Sequence, residues 1–252
     1  DGQFGREETD AFDRDFVVVG AVLDVERSPH IHYAFGVANE FSRETDDMET
    51  RDLHIVSTSA ALGADWSDSL LEPTQGWRGD IRGEPGWVLG EENTPYLMTL
   101  GGAAIYRGFG EERDWVAALR GRAGSLIGAG TLELPASRRF FAGGGGSARG
   151  YAYQSIGPKD DLGDPRGGRG LLEIGGELRW RRSERFGFAA FLDAASVSKG
   201  ATPSADDLQF GAGLGVRYYT SIGAIRFDVA APLSARDGDD PVQIYINLGQ
   251  AF

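Results

Sequence analysis

The chain has 252 residues, with 25 basic against 38 acidic side chains, a net charge of -13, and no cysteine. That balance argues against a phosphate-backbone partner, so nucleic acid is excluded as a target, and the lack of thiols rules out disulfides and thiolate metal sites. No run of about 18 apolar residues is present, so no membrane-spanning helix is expected. Nor does the chain open on a charged-then-apolar stretch of signal-peptide type. What remains is a large soluble β domain, or a chain that crosses a membrane as strands.

Segments of extended character follow one another along the chain: Phe16 to Val25, His30 to Phe41, Leu53 to Trp66, Trp77 to Leu89, Pro95 to Tyr106 and Trp115 to Ile127. Beyond a long interruption the alternation sharpens. Leu172, Ile174, Leu178 and Trp180 oppose Glu173, Glu177, Arg179 and Arg181, and Phe186, Phe188, Ala190, Leu192 and Ala194 keep one parity. From Leu208 the even positions are apolar up to Tyr218, against Gln209, three glycines and Arg217. Ile225, Phe227, Val229 and Leu233 then oppose Arg226 and Asp228, and Val242, Ile244, Ile246 and Leu248 oppose Gln243, Tyr245 and Asn247. Period two with one apolar and one polar face predicts strands, about eleven of them.

These strands run roughly 10 to 14 residues, where globular strands average about five or six. A tilted strand needs about 9 to 11 residues to cross a bilayer, with its apolar row toward lipid and its polar row toward a lumen. The connections support the same reading. Tight joins fall at Glu26 to Pro29, Gly108 to Arg113, Arg182 to Arg185 and Ser221 to Gly223; longer ones fall at Ser42 to Asp52, Phe140 to Gly168, Ser198 to Asp207 and Ser234 to Pro241. Short turns at one end and long loops at the other is the outer-membrane barrel pattern. Ser67 to Gln75 is long for a turn and Gly90 to Thr94 short for a loop.

The interruption contains RFFAGGGGSARGY, Arg139 to Tyr151. Four consecutive glycines cannot hold a regular strand unaided, so something outside the segment must fix it. A flexible lead-in ending in Arg149, Gly150 and Tyr151 suits a plug, a charged head that docks inside a polar cavity. Other motifs are set aside. GAGLGV at Gly211 to Val216 imitates a dinucleotide glycine pattern but continues as a strand with no helix to follow. The Gly143 to Gly146 run lacks the Gly-Lys-Ser/Thr of a phosphate loop, and Gly145 to Arg149 fails the nucleophile-elbow pattern at its last position. Only His30 and His32 of the three histidines share a strand face, too few for a metal site. The acidic run Glu44-Thr45-Asp46-Asp47 reads as a solvated loop. No catalytic residue, metal or cofactor is expected, and the chain is not read as an enzyme.

Taken in order and spacing, RFFAGGGGSARGYAYQSIGP, FAAFLDAAS, GLGVRYYTSIGAIRFDVAAPL and the terminal YINLGQAF resemble the C-terminal barrel of the BamA/TamA outer-membrane assembly superfamily, the surface antigen D15-type barrels, and within it the TamA (translocation and assembly module) branch. LEPTQGWRG is similar to the Pro-Thr-x-Gly turn of that family. The resemblance is densest over Arg138 to Phe252 and rests on strand pattern alone before about Leu71.

It implies a barrel of about sixteen strands preceded by periplasmic POTRA domains. This chain would then supply about the sixth to the sixteenth strand, as a C-terminal piece with an open edge that lipid cannot satisfy. It also implies a plug loop over about residues 138–168, with Arg149 docked on Glu177 and Asp193; independently of the resemblance, both acids lie on the polar parity of their strands. The last strand is similar to the assembly signal of outer-membrane proteins, with Ile246, Leu248, Gly249 and the terminal Phe252, apart from Gln250 on the lipid parity. The implied location is the bacterial outer membrane. The implied activity is non-covalent insertion of barrel or autotransporter proteins, through a lateral gate and strand addition, with a periplasm-spanning TamB-like partner. A passive channel, a two-partner secretion pore and the barrel anchor of a patatin-like phospholipase are the alternative readings.

Overall fold

Alternating apolar and polar side chains along an extended backbone put one set on each face of a sheet, and every long alternating segment is a strand in the computed structural model, which describes residues 2–46, 49–90, 93–131, 133–221 and 223–249. The elements are β1 (Gly2–Glu8), β2 (Asp13–Ser28), β3 (Ile31–Thr45), β4 (Thr50–Asp65), β5 (Gln75–Leu89), β6 (Thr94–Phe109), β7 (Trp115–Ile127), β8 (Gly170–Arg181), β9 (Phe186–Ser198), β10 (Gln209–Thr220), β11 (Gly223–Pro232) and β12 (Gln243–Leu248). They form one antiparallel sheet in sequential order, and no ladder joins β12 to β1 among the described residues. The sheet is an open meander.

Its outer face is oily. Ile174, Phe188, Leu192, Leu214, Ile225, Phe227 and Ile244 are all exposed, one parity per strand. Continuous apolar exposure on this scale is foreign to a water-soluble monomer and is what a lipid-facing band needs. Aromatic rings line the short-turn end, with Phe109, Trp115, Trp180 and Phe188 in a row at centroid spacings of 6.4, 5.4 and 6.0 Å, and with Trp66 stacked on Trp77 at 4.9 Å. Amphipathic rings collect where headgroups meet hydrocarbon. Leu214, in the middle of β10, is 68% exposed; Leu214→Arg in the full-length protein is expected to cost about 2–4 kcal/mol of stability in a bilayer. A urea titration in liposomes measures this, and an unchanged midpoint would mean that the row does not face lipid.

The strand reading from sequence is short by one. The sequence expectation omits β1, because GQFGREE offers one large apolar residue and no alternation; its place is set by pairing with β2, Phe4 opposite Val17 and Gly5 opposite Phe16. The connection expected at Ser42 to Asp52 shrinks to residues 46–49, since β3 and β4 stay paired up to Thr45 opposite Thr50. His30 lies in the β2–β3 turn rather than on a strand face with His32. The long join before β5 turns inward: the Asp68 carboxylate accepts the Thr74 and Gln75 amides at 2.8 and 3.1 Å, and Pro73 is fully buried.

The connection 128–169 folds back over the inner face. Its Leu134, Phe140, Ala142, Ala148, Tyr151 and Ile156 pack with Ile55, Tyr96, Leu126, Leu171, Ala195 and Val197 from the sheet. The loop therefore brings its own apolar core into the concave side, and this burial is what makes the site beneath it dry.

Candidate functional site: the buried arginine cluster

Inward-facing positions of neighbouring strands form rows across the sheet. One row reads Gly175, Asp193, Gly211, and another reads Arg179, Ala189, Gly215, Asp228, Tyr245. Gly175 and Gly211 beside Asp193, and Gly215 beside Asp228, leave space above the sheet where a side chain from elsewhere fits. Gly211 shows how tight that fit is, since a Cβ there would overlap the carbonyl oxygen of Arg149.

Arg149 fills the space and is 0% exposed. Its Nε donates to Asp193 Oδ2 at 2.6 Å and its Nη2 to Asp193 Oδ1 at 3.1 Å, a two-pronged pairing. Nη1 donates to Glu177 Oε2 at 2.6 Å and to Asp228 Oδ2 at 3.3 Å, and the backbone amide of Arg149 adds a bond to Asp193 at 3.2 Å. The guanidinium carbon sits 3.4 Å from the ring centroid of Phe191. A planar fork matches this set; the point charge of a lysine would not. Burial alone would pull the Arg149 guanidinium down, but Asp193 and Glu177 outweigh it and hold it above its ordinary value.

The acids are shared. Glu177 accepts Arg179 Nε at 2.7 Å on one oxygen and Arg217 Nη2 at 3.2 Å on the other, while Asp228 accepts Arg217 Nη1 at 2.5 Å and lies 3.2 Å from Arg226 Nε. Four arginines thus meet three carboxylates in a buried lattice. Removing one member of such a set strands a desolvated charge, at a cost of about 3–5 kcal/mol. The chemistry available here is electrostatic docking.

The rest of the tip is fixed by backbone. Gly150 has φ +105°, and a Cβ would come within 2.8 Å of the Ala231 carbonyl oxygen, so only glycine turns the chain there. Its amide donates to Tyr245 Oη at 3.0 Å, and that hydroxyl donates onward to the Tyr151 carbonyl at 2.7 Å. Tyr151, 1% exposed, donates its own hydroxyl to the Phe210 carbonyl at 2.9 Å. Ser147 hydrogen-bonds Glu173, and Arg120 holds the Gly146 and Ser147 carbonyls.

Arg149, Gly150, Tyr151, Glu177 and Asp193 are accordingly brought together. Ile246 and Leu248 are not part of this cluster; they stand on the outer face of β12, 71% and 61% exposed. Gly249 closes that strand at φ +87° with its amide on the Ala224 carbonyl at 2.7 Å. Phe252 and Gln250 lie outside the described residues. Sequence reasoning misses Asp228, Arg179, Arg217, Arg226 and Tyr245 as members. Their signal is present, because each sits on the polar parity of its strand, but parity cannot say which inward residues share a height.

The Omp85 superfamily domain matches residues 12–252. The outer membrane protein assembly factor BamA of Neisseria meningitidis serogroup B is 25% identical over 228 residues, covering 75% of this chain and 28% of that protein. BamA of Nitratidesulfovibrio vulgaris is 31% identical over 140 residues, 53% of this chain and 18% of that protein. The chain therefore spans less than a third of either curated relative. Among solved structures, BamA from Haemophilus ducreyi lacking POTRA domains 1-3 superposes with a TM-score of 0.78 at 19% identity, over 94% of this chain and 54% of that one. CdiB from Acinetobacter baumannii gives 0.60 at 14% identity, over 95% and 42%; likenesses at these identities speak for the fold. Lipid-facing strands and a family match that runs from residue 12 onward lead to one assignment: the chain belongs to the Omp85 superfamily, as part of a bacterial outer-membrane β-barrel.

Proposed function

We propose that this chain is the membrane-embedded part of an outer-membrane protein assembly factor, in which loop 128–169 is the plug and Arg149 its lock. The observation that carries the reading is the buried Arg149 fork on Asp193 and Glu177, with Asp228 as third acceptor. A passive channel has no use for a loop that fills its own lumen with apolar side chains and sets an arginine among the inward charges of the strands. In this reading the chain is the C-terminal share of a larger barrel, with further strands and POTRA domains supplied upstream. Substrate strands pair by backbone hydrogen bonds at a lateral gate beside β12, and no covalent step is involved. Ile246, Leu248, Gly249 and Phe252 serve as the chain's own insertion signal.

The finer assignment is to the translocation-and-assembly branch, with autotransporter-type substrates and a TamB-like periplasm-spanning partner. It rests on the resemblance of RFFAGGGGSARGY and its flanking strands alone. A two-partner secretion pore is the alternative reading. One assay separates the two. Full-length protein in liposomes is offered a urea-unfolded barrel protein and, separately, an unfolded soluble exoprotein. An assembly factor is expected to speed insertion of the barrel into the bilayer and to leave the exoprotein outside; import of the exoprotein without any gain in barrel insertion would reject the proposal.

A further inference from the structure

The loop that carries Arg149 is held a second time, by residues that take no part in the arginine cluster. Glu44 on β3, 0% exposed, accepts the Ala136 and Ser137 amides at 2.5 and 3.2 Å. Arg138 donates through Nη2 to Glu40 Oε2 at 2.5 Å and lies 3.7 Å from Glu84 Oε1 on β5. Tyr96 on β6 donates to Glu84 at 3.1 Å, and Arg14 on β2 donates to the other Glu40 oxygen at 3.0 Å. Beyond Arg138, Phe141 meets Phe12 of the β1–β2 connection at a centroid distance of 6.3 Å, and Phe12, Ala11 and Ala136 form a small buried cluster.

The two anchors grip opposite flanks. Arg138 and its neighbours hold β2, β3, β5 and β6, whereas Arg149 holds β8, β9 and β11, and Tyr245 adds β12. Only ten residues of chain separate the locks, from Arg139 to Ala148, four of them glycine. We infer that loop 128–169 is a strap with two separately releasable ionic locks, and that Arg138, with Glu40 and Glu84, is the positioning residue of the second. The glycine run between them has no side chains to anchor it and is held on the tip side alone, by Arg120 and Arg226 on the Gly146 and Gly145 carbonyls and by the Gly143 and Gly144 amides on Ser147 and the Tyr151 carbonyl; it opens with the Arg149 lock, so that undocking Arg149 frees the tip from β8–β12 without freeing the base from β2–β6. The inference deepens the plug reading given above and rests on it for its use, though not for its test.

Labelling tests it without any assembly assay. These 252 residues contain no cysteine, so Ser137→Cys reports on the base and Ala148→Cys on the tip, probed with a water-soluble maleimide on the full-length protein in membranes, with the protein lacking either substitution as the blank. Arg138→Ala is expected to raise the labelling rate at position 137 at least about tenfold and leave 148 within about twofold, and Arg149→Ala to do the reverse, as local openings of separate units do. Glu40→Gln, which keeps the shape and weakens the same lock, is expected to repeat the Arg138→Ala pattern, and it carries the test should Arg138→Ala fail to insert. Rates that rise together at both positions in either variant would show a single cooperative anchor and overturn the inference. An unchanged rate at 137 in both lock variants would overturn it equally. Failure of the plug reading appears instead in the liposome assay, with these labelling rates unaffected.

Discussion

Arg149→Ala in the full-length protein is expected to reduce assembly of a barrel substrate at least about tenfold, a change of about 1.4 kcal/mol, while the variant still inserts and runs heat-modifiably on gels. The reason lies in what the arginine leaves behind. Glu177 keeps Arg179 and Arg217, and Asp228 keeps Arg217 and Arg226, but Asp193 loses both prongs of its fork and keeps only the main-chain amide of residue 149. A buried carboxylate so stranded costs about 3–5 kcal/mol, and the docked state of the loop is the state that bears the cost. Undocked loop should therefore rise by roughly two to four orders of magnitude. The outer face, its aromatic belt and the strand ladders are untouched, so the barrel itself stays. Asp193→Asn in the same background removes the stranded charge and is expected to recover part of the docking; a double-mutant cycle measures the coupling. Arg149→Lys restores charge without the fork and should fall between. Wild-type activity in Arg149→Ala would end the claim that this side chain locks a plug.

Gly211→Val is the second large effect, and it separates docking from charge. Valine is favoured in strands, so β10 itself loses nothing by the change and every charged group of the cluster remains. The new Cβ would, however, occupy the position of the Arg149 carbonyl oxygen. Overpacking of this kind costs about 1–3 kcal/mol, here charged to the loop tip, since the sheet backbone is the stiffer partner. The variant is expected to label at Ala148→Cys faster than the wild-type loop and no faster than Arg149→Ala, with β10 pairing intact by hydrogen exchange. Gly211→Ala should show a smaller shift of the same kind. If Gly211→Val leaves the tip protected, the small residues of β10 are not what admits the loop.

Glycine at these positions also marks where the sequence misleads. GAGLGV looks like a nucleotide fingerprint gone astray, and its reason appears only when Gly211 and Gly215 are seen beside Asp193 and Asp228 with guanidinium groups above them. The same holds for LEPTQG, an overlong turn in the sequence and in the structure a plug from below, where the Pro73 carbonyl accepts Arg179 Nη1 at 3.4 Å. Charge on a strand's polar parity announces an inward residue. It does not announce its partner.

Extended character by itself placed eleven of the twelve strands among the described residues, and period-two alternation set the in-and-out sense and the lipid-facing rows of the last five, because which face of a pleat a side chain takes depends only on its odd or even position. It also set Arg149 on a glycine-led loop and two acids on inward parity. Tertiary structure decided the rest: the edge strand β1, which has no pattern of its own and exists through its neighbour; the sharing of Glu177 and Asp228 among Arg179, Arg217 and Arg226; and the second grip of the loop at Glu40, Glu44 and Glu84. These depend on strand register and on how far a loop reaches across the lumen, quantities fixed by hydrogen bonds between residues far apart in the chain, and local pattern contains no measure of either.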